Sequence, residues 1–123
     1  MESSTKTGMF IDECGKKEWY KNGKLHREDG PAIVEDWRKE WYIDGKLHRE
    51  NDLPALLRID YFDNSIDRSE WWVNGKLHRI GKPAIISYEN SKDIERYYEN
   101  GKLHNLYGPA IIEEDKELEW YID

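Results

Sequence analysis

One motif occurs four times in this chain and dictates what the chain folds into. It reads aromatic–aromatic–x–(Asn/Asp)–Gly–Lys–Leu–His, with Pro-Ala following five or six residues after the His. The copies run Trp19 to His26 with Pro31-Ala32, Trp41 to His48 with Pro54-Ala55, Trp71 to His78 with Pro83-Ala84, and Tyr97 to His104 with Pro109-Ala110. Trp120-Tyr121-Ile122-Asp123 begins a fifth, and Gly8-Met9-Phe10-Ile11 resembles the second half of a preceding one. A motif repeated in this way signals an array whose units pack mainly on their neighbours.

The spacing separates a rigid connection from a tolerant one. The first aromatics stand at 19, 41, 71, 97 and 120, so successive copies are 22, 30, 26 and 23 residues apart. Nearly all of that variation falls between Pro-Ala and the next aromatic pair. Insertions therefore cluster along one edge of the array.

Asn-Gly or Asp-Gly between aromatic and branched residues is a strong signal for a two-residue hairpin, because a type I′ turn needs positive φ at both central positions. The turn sets the register. Tyr20, Tyr42, Trp72 and Tyr98 face Leu25, Leu47, Leu77 and Leu103, while Trp19, Trp41, Trp71 and Tyr97 face His26, His48, His78 and His104. One step further, Glu18–Arg27, Glu40–Arg49 and Glu70–Arg79 are expected as rim ion pairs, with Arg96 meeting Asn105. Pro gives no ladder N–H, so the strand bends or bulges past each His. The apolar runs after Pro-Ala then continue as strand. The expected fold is all-β, an elongated antiparallel meander of repeated hairpins with about ten strands. Residues 8–123 form one domain, and residues 1–7 a disordered tail. Two inserts, 60–69 and 89–95, are loops or extended hairpin tips.

Composition narrows the functional classes. Charged residues make up 37% of the chain and aromatics 13%, with a net charge of -7. That balance excludes a broad basic surface for duplex nucleic acid or an anionic membrane. No apolar run approaches the ~20 residues of a spanning helix, and the opening Met1-Glu2-Ser3-Ser4-Thr5 lacks the basic and apolar regions of a signal peptide. The single Cys14 forms no internal disulfide. A soluble, cytoplasmic protein is the resulting expectation.

The repeated unit Trp-Tyr-x-Asn-Gly-Lys-Leu-His-Arg-x-x-Gly-Pro-Ala resembles the variant MORN repeats of phage, large-virus and bacterial proteins, over roughly residues 8–123. The resemblance implies an elongated, twisted antiparallel sheet and non-enzymatic roles: scaffolding, self-association or ligand binding. The chain departs from the pattern at Asp52-Leu53, where Gly precedes Pro in the unit, at Lys82, and at Asn105, where Arg is expected.

The four His residues do not form a metal site by spacing. Successive hairpins lie ~10 Å apart, whereas zinc ligands stand ~2.0–2.1 Å from the ion. No nucleophile recurs with the motif. No catalytic residue, metal or cofactor is therefore expected.

The sharper reading concerns the row that repetition builds. Trp19, Trp41, Trp71 and Tyr97 line up with His26, His48, His78 and His104. Lys24, Lys46, Lys76 and Lys102 flank the turns, and Arg27, Arg49 and Arg79 follow the His. Aromatic faces beside basic donors suit a base plus a phosphate. One function class is thus a non-enzymatic interaction module with a protein partner. The alternative is sequestration of a small anionic, nucleotide-like signalling molecule, in the manner of a phage counter-defence protein. Tyr61 and Phe62 in the longest insert are candidate partner-binding residues, against the reading that they pack on the sheet. Trp120 and Tyr121 are the others. The half-hairpin they begin leaves an apolar edge, which is expected to pair with a second chain as a homo-oligomer.

Overall fold

The computed structural model describes residues 6–106, 108–113 and 116–119, the last four by backbone alone. Among these described residues there are seventeen strands: β1 (Gly8–Ile11), β2 (Lys17–Lys21), β3 (Lys24–Leu25), β4 (Ile33–Glu35), β5 (Arg38–Glu40), β6 (Tyr42–Ile43), β7 (Lys46–Leu47), β8 (Leu56–Ile59), β9 (Ile66–Glu70), β10 (Trp72–Val73), β11 (Lys76–Leu77), β12 (Ile85–Glu89), β13 (Lys92–Arg96), β14 (Tyr98–Glu99), β15 (Lys102–Leu103), β16 (Ile111–Glu113) and β17 (Lys116–Glu119). Among the described residues there is no helix, and so none long and apolar enough to cross a membrane. The fold is all-β and built from antiparallel hairpins, as the repeat requires.

The main sheet runs β1-β2-β4-β5-β8-β9-β12-β13-β16-β17, with β3 paired to β2 off that path. The pairs β6–β7, β10–β11 and β14–β15 are separate two-stranded ribbons. The second, third and fourth copies of the motif thus span two sheets, whereas in the first β3 stays on β2 of the main sheet. Each Asn/Asp-Gly turn closes a short ribbon, and its flanking strands run on into the main sheet. The turn residues have the required backbone: Asn22, Asp44, Asn74 and Asn100 have φ of 52°, 49°, 51° and 52°, and the glycines after them 81°, 81°, 80° and 82°. The registers Tyr20↔Leu25, Tyr42↔Leu47, Trp72↔Leu77 and Tyr98↔Leu103 are those the turn dictates.

The joint between the layers explains Pro-Ala. Ala32, Ala55, Ala84 and Ala110 are fully buried at 0% exposure. Their carbonyls accept the N–H of Trp19, Trp41, Trp71 and Tyr97 at 2.7–2.8 Å. The opposite ends of the main strands close in the variable turns. The longest insert is an extended β8–β9 hairpin whose turn includes Tyr61 to Asp63, and the other insert is the β12–β13 hairpin, turning at Asn90-Ser91.

Registered partners share a face of a sheet. One face carries Ile33, Glu40, Leu56, Glu70, Ile85 and Arg96 in a single cross-strand row. This is where the core sits: Ile33, Ile85 and Ile94 are buried, and so are Glu40, Glu70 and Ser87. Their carboxylates are paired. Glu40 takes Arg38 Nη1 at 2.9 Å and the Tyr42 hydroxyl at 2.8 Å, and Glu70 takes Arg68 and the Trp72 indole N–H. Burial, then the bond to Glu40, pushes the Tyr42 hydroxyl up to about 12. Glu89 gathers Ser87, Arg68 and Arg96, and these donors hold its carboxyl below the usual range, the Ser87 hydrogen bond most of all.

The expected pairs Glu18–Arg27, Glu40–Arg49 and Glu70–Arg79 are not formed. The chain leaves the hairpin ladder at the His, so the next residue never comes opposite the Glu. Arg27, Arg49 and Arg79 instead donate their backbone N–H to Tyr42, Trp72 and Tyr98 of the following copy, at 3.1, 3.2 and 3.1 Å. The glutamates turn to other cations, Glu40 and Glu70 to Arg38 and Arg68 on the main strands and Glu18 to Lys16 just before β2.

Candidate functional site

The repeated row is an inter-copy seam. The N–H of Gly45, Gly75 and Gly101 donates to the carbonyls of Leu25, Leu47 and Leu77 at 2.8, 2.9 and 2.8 Å. Beside those bonds, the N–H of Asp44, Asn74 and Asn100 donates to Nδ1 of His26, His48 and His78 at 2.9, 3.0 and 3.0 Å. A backbone N–H only donates, so each Nδ1 accepts and the ring proton sits on Nε2. The Nε2–H groups of His26 and His48 donate to Glu28 and Glu50, at 3.1 and 3.0 Å. Each His thus binds its own hairpin to the next turn.

The Arg side chains brace each copy internally, beside the seam. The guanidiniums of Arg27, Arg49 and Arg79 stack on Trp19, Trp41 and Trp71, 3.8, 3.9 and 3.8 Å from the ring centroids. Their Nη1 groups donate to the carbonyls of Pro31, Pro54 and Pro83. That geometry needs a flat cation carrying several donors, which Lys does not offer. In the fourth copy Asn105 donates to the Pro109 carbonyl at 2.9 Å and keeps that half of the arrangement. Asp52, at the departure in the second copy, ties Arg79 through two bonds of 2.8 and 3.3 Å and accepts the Trp71 indole N–H on its carbonyl. The hydrogen bond from Arg79 holds the Asp52 carboxyl below its ordinary range.

Two features of the seam are absent from the sequence reading. Gly23 donates to the Lys6 carbonyl at 2.8 Å, and Asn22 to the Thr7 hydroxyl at 3.0 Å. Lys6 and Thr7, assigned to the tail, thus supply the first turn with what Leu and His supply to later ones. The visible signal was the half-unit at Gly8–Ile11, which has to be preceded by such a step.

The candidate ligand residues are therefore brought into one row, with most of their polar groups already engaged. Two clefts open between copies. One of about 460 Å³ is lined by His48, Arg49, Trp71, Trp72 and His78 together with Glu50 and Asp52. The other, of about 520 Å³, sets Trp41 beside Glu28, Asp29 and Glu50. Lys24, Lys46, Lys76 and Lys102 stand exposed at the turns. A Cβ added to Gly45, Gly75 or Gly101 would lie 3.5–3.9 Å from the stem of the preceding copy's Lys, so those stems cover the glycines. No group of three or more His, Cys, Asp and Glu side chains among the described residues could hold a metal ion.

The partner-binding candidates divide. Tyr61 and Phe62 are 79% and 92% exposed and touch one another edge to face at 5.4 Å between centroids, so they do not pack on the sheet. Trp37, in the equivalent turn of β4–β5, is also exposed. Trp120 and Tyr121 lie outside the described residues. No family model, curated protein or solved structure matches the chain.

Proposed function

We propose that the chain is a non-enzymatic, repeat-type interaction module of the variant MORN kind, acting inside a cell through its non-repeated surface. One observation carries the reading. The recurring His residues spend Nδ1 on the next copy's turn, and the recurring Arg guanidiniums and Trp faces are spent on one another within a copy, whereas the most exposed aromatics, Tyr61 and Phe62, stand on the turn of the longest insert. A phage or viral source fits the resemblance, and the exposed free thiol of Cys14 suits a reducing compartment.

The test is cross-linking capture of partners by the intact chain and by a Tyr61→Ser/Phe62→Ser variant. The reading expects one defined partner, lost in the variant while the unfolding midpoint stays unchanged. Undiminished capture by the variant would contradict the assignment of the tip.

The second reading, sequestration of a small nucleotide-like anion, is favoured by the cleft in which Trp71 lies beside His48 and His78. Glu50 and Asp52 on the same cleft oppose an anion. A thermal-shift series with nucleotides decides it. A true ligand at 100-fold its dissociation constant stabilises by ~2.7 kcal/mol, and no shift is expected here.

A further inference from the structure

The face of the main sheet opposite the core has no covering layer among the described residues. Its central cross-strand row alternates apolar and polar by strand: Val34 on β4, Lys39 on β5, Leu57 on β8, Ser69 on β9, Ile86 on β12 and Glu95 on β13. On the far side of Val34 the row continues to Lys17 and ends at Ile11 on β1. Beyond Glu95 it passes through Ile112 to the register position of Glu117 on β17. In the nine positions from Lys17 to Glu117 the cations thus occupy one half and the acidic positions the other, with a small serine at the centre. Lys17, Lys39 and Glu95 form no ion pair among the described residues.

We propose that this face binds a second copy of the chain about a two-fold axis parallel to the strands and passing over Ser69. That operation reverses the strand order and keeps positions along the strands. It sets Lys39 over Glu95 of the second copy, and Leu57 over Ile86. Val34 falls over Ile112, and Lys17 over the register position of Glu117. Apolar meets apolar and cation meets acid across these nine strands, and Ile11 on β1 stays outside the overlap. An axis perpendicular to the strands would instead lay each residue over its own equivalent and oppose like charges, which is disfavoured.

A second feature agrees with the same axis. Tyr88 lies two residues beyond Ile86, towards the variable turns, and is 55% exposed. Ile59 lies two beyond Leu57 in the same direction and lines a depression of about 450 Å³ with Lys17, Val34 and Lys39. The operation brings the Tyr88 ring of one copy over that depression in the other. Twisted sheets pack face to face ~30° off parallel, so alignment is best near the axis. Lys39–Glu95, two strand spacings or ~10 Å from it, is the pair that matters most. Eight spacings of ~4.8 Å by about four residues of ~3.4 Å make on the order of 500 Å² per chain. That is the lower end for a specific interface, so the association is reversible.

Sedimentation equilibrium of the full chain over a concentration series at low ionic strength tests this. A reversible dimer is expected, weakened by salt. Lys39→Glu and Glu95→Lys should each raise the dimer dissociation constant about tenfold or more, because each opposes like charges at both symmetric positions. The double variant should restore association. So should an equimolar mixture of the two single variants, which forms only opposite-charge pairs as a heterodimer, and that rescue also shows both variants to be folded. A chain that remains monomeric at every concentration would overturn the proposal. So would a dimer indifferent to all of these substitutions, the behaviour of pairing through a strand edge.

Discussion

The backbone N–H of Asn74 donates to Nδ1 of His48 at 3.0 Å, across 26 residues of sequence. The bond crosses from one copy of the repeat to the next, and the same contact joins His26 to Asp44 and His78 to Asn100. His48→Ala leaves that turn N–H without its acceptor. We expect a loss of about 1–2 kcal/mol, read as a lower denaturant midpoint, together with faster hydrogen exchange at the Asn74 amide. Unchanged exchange at Asn74 would remove the His from the seam.

Arg49 combines a stacked guanidinium with a hydrogen bond to the Pro54 carbonyl. Arg49→Lys keeps the charge and loses the planar fork. It should cost about 1 kcal/mol or more in unfolding free energy and alter the near-ultraviolet circular dichroism of Trp41. A lysine variant as stable as the wild type would show that charge alone matters at this position.

The motif made most of the architecture legible. Asn-Gly and Asp-Gly fix both the turn and the register, and fully enclosed alanines follow Pro wherever the layers join. The Glu–Arg pairing was misjudged for a physical reason. Register arithmetic extends a hairpin as if its two strands stayed together, but Arg27 leaves that ladder because the carbonyl of Tyr42, in the next copy, takes its N–H. A partner in another copy is invisible to counting within one. Thr7 was missed likewise, since its hydroxyl replaces an imidazole nitrogen without resembling one in sequence. The open face needed every register in the sheet before Lys39 and Glu95 could be placed on one row.

Gly75 has φ of +80°, and a Cβ there would also meet the Lys46 stem at 3.5 Å. Gly75→Val should destabilise by ~1–3 kcal/mol through backbone strain alone. Tyr61→Ser/Phe62→Ser, at an exposed tip, should change stability by ~0.5 kcal/mol or less. Denaturant midpoints of the two variants check the contrast. Equal losses would contradict the division into rigid seam and free tips.

The Glu89 carboxylate accepts from Ser87, Arg96 and Arg68, and lies below the ordinary carboxylate range. A depressed carboxyl contributes stability that is complete above the unfolded-state value, ~4.3, and is lost as pH falls through the lower folded value. Glu89→Gln should therefore lower the midpoint at pH 7 and flatten its fall on acidification below ~4. A variant with the same acid limb as the wild type would show that another carboxylate governs it.

The central claim is that the recurring imidazoles are structural acceptors, and nitrogen-15 NMR of the histidine rings reads it directly. The account predicts that His26, His48 and His78 carry their proton on Nε2 at neutral pH, with scalar couplings across the hydrogen bonds from the Asp44, Asn74 and Asn100 amides to Nδ1. Rings protonated on Nδ1, without such couplings, would contradict it and return the row to the pool of free ligand-binding groups.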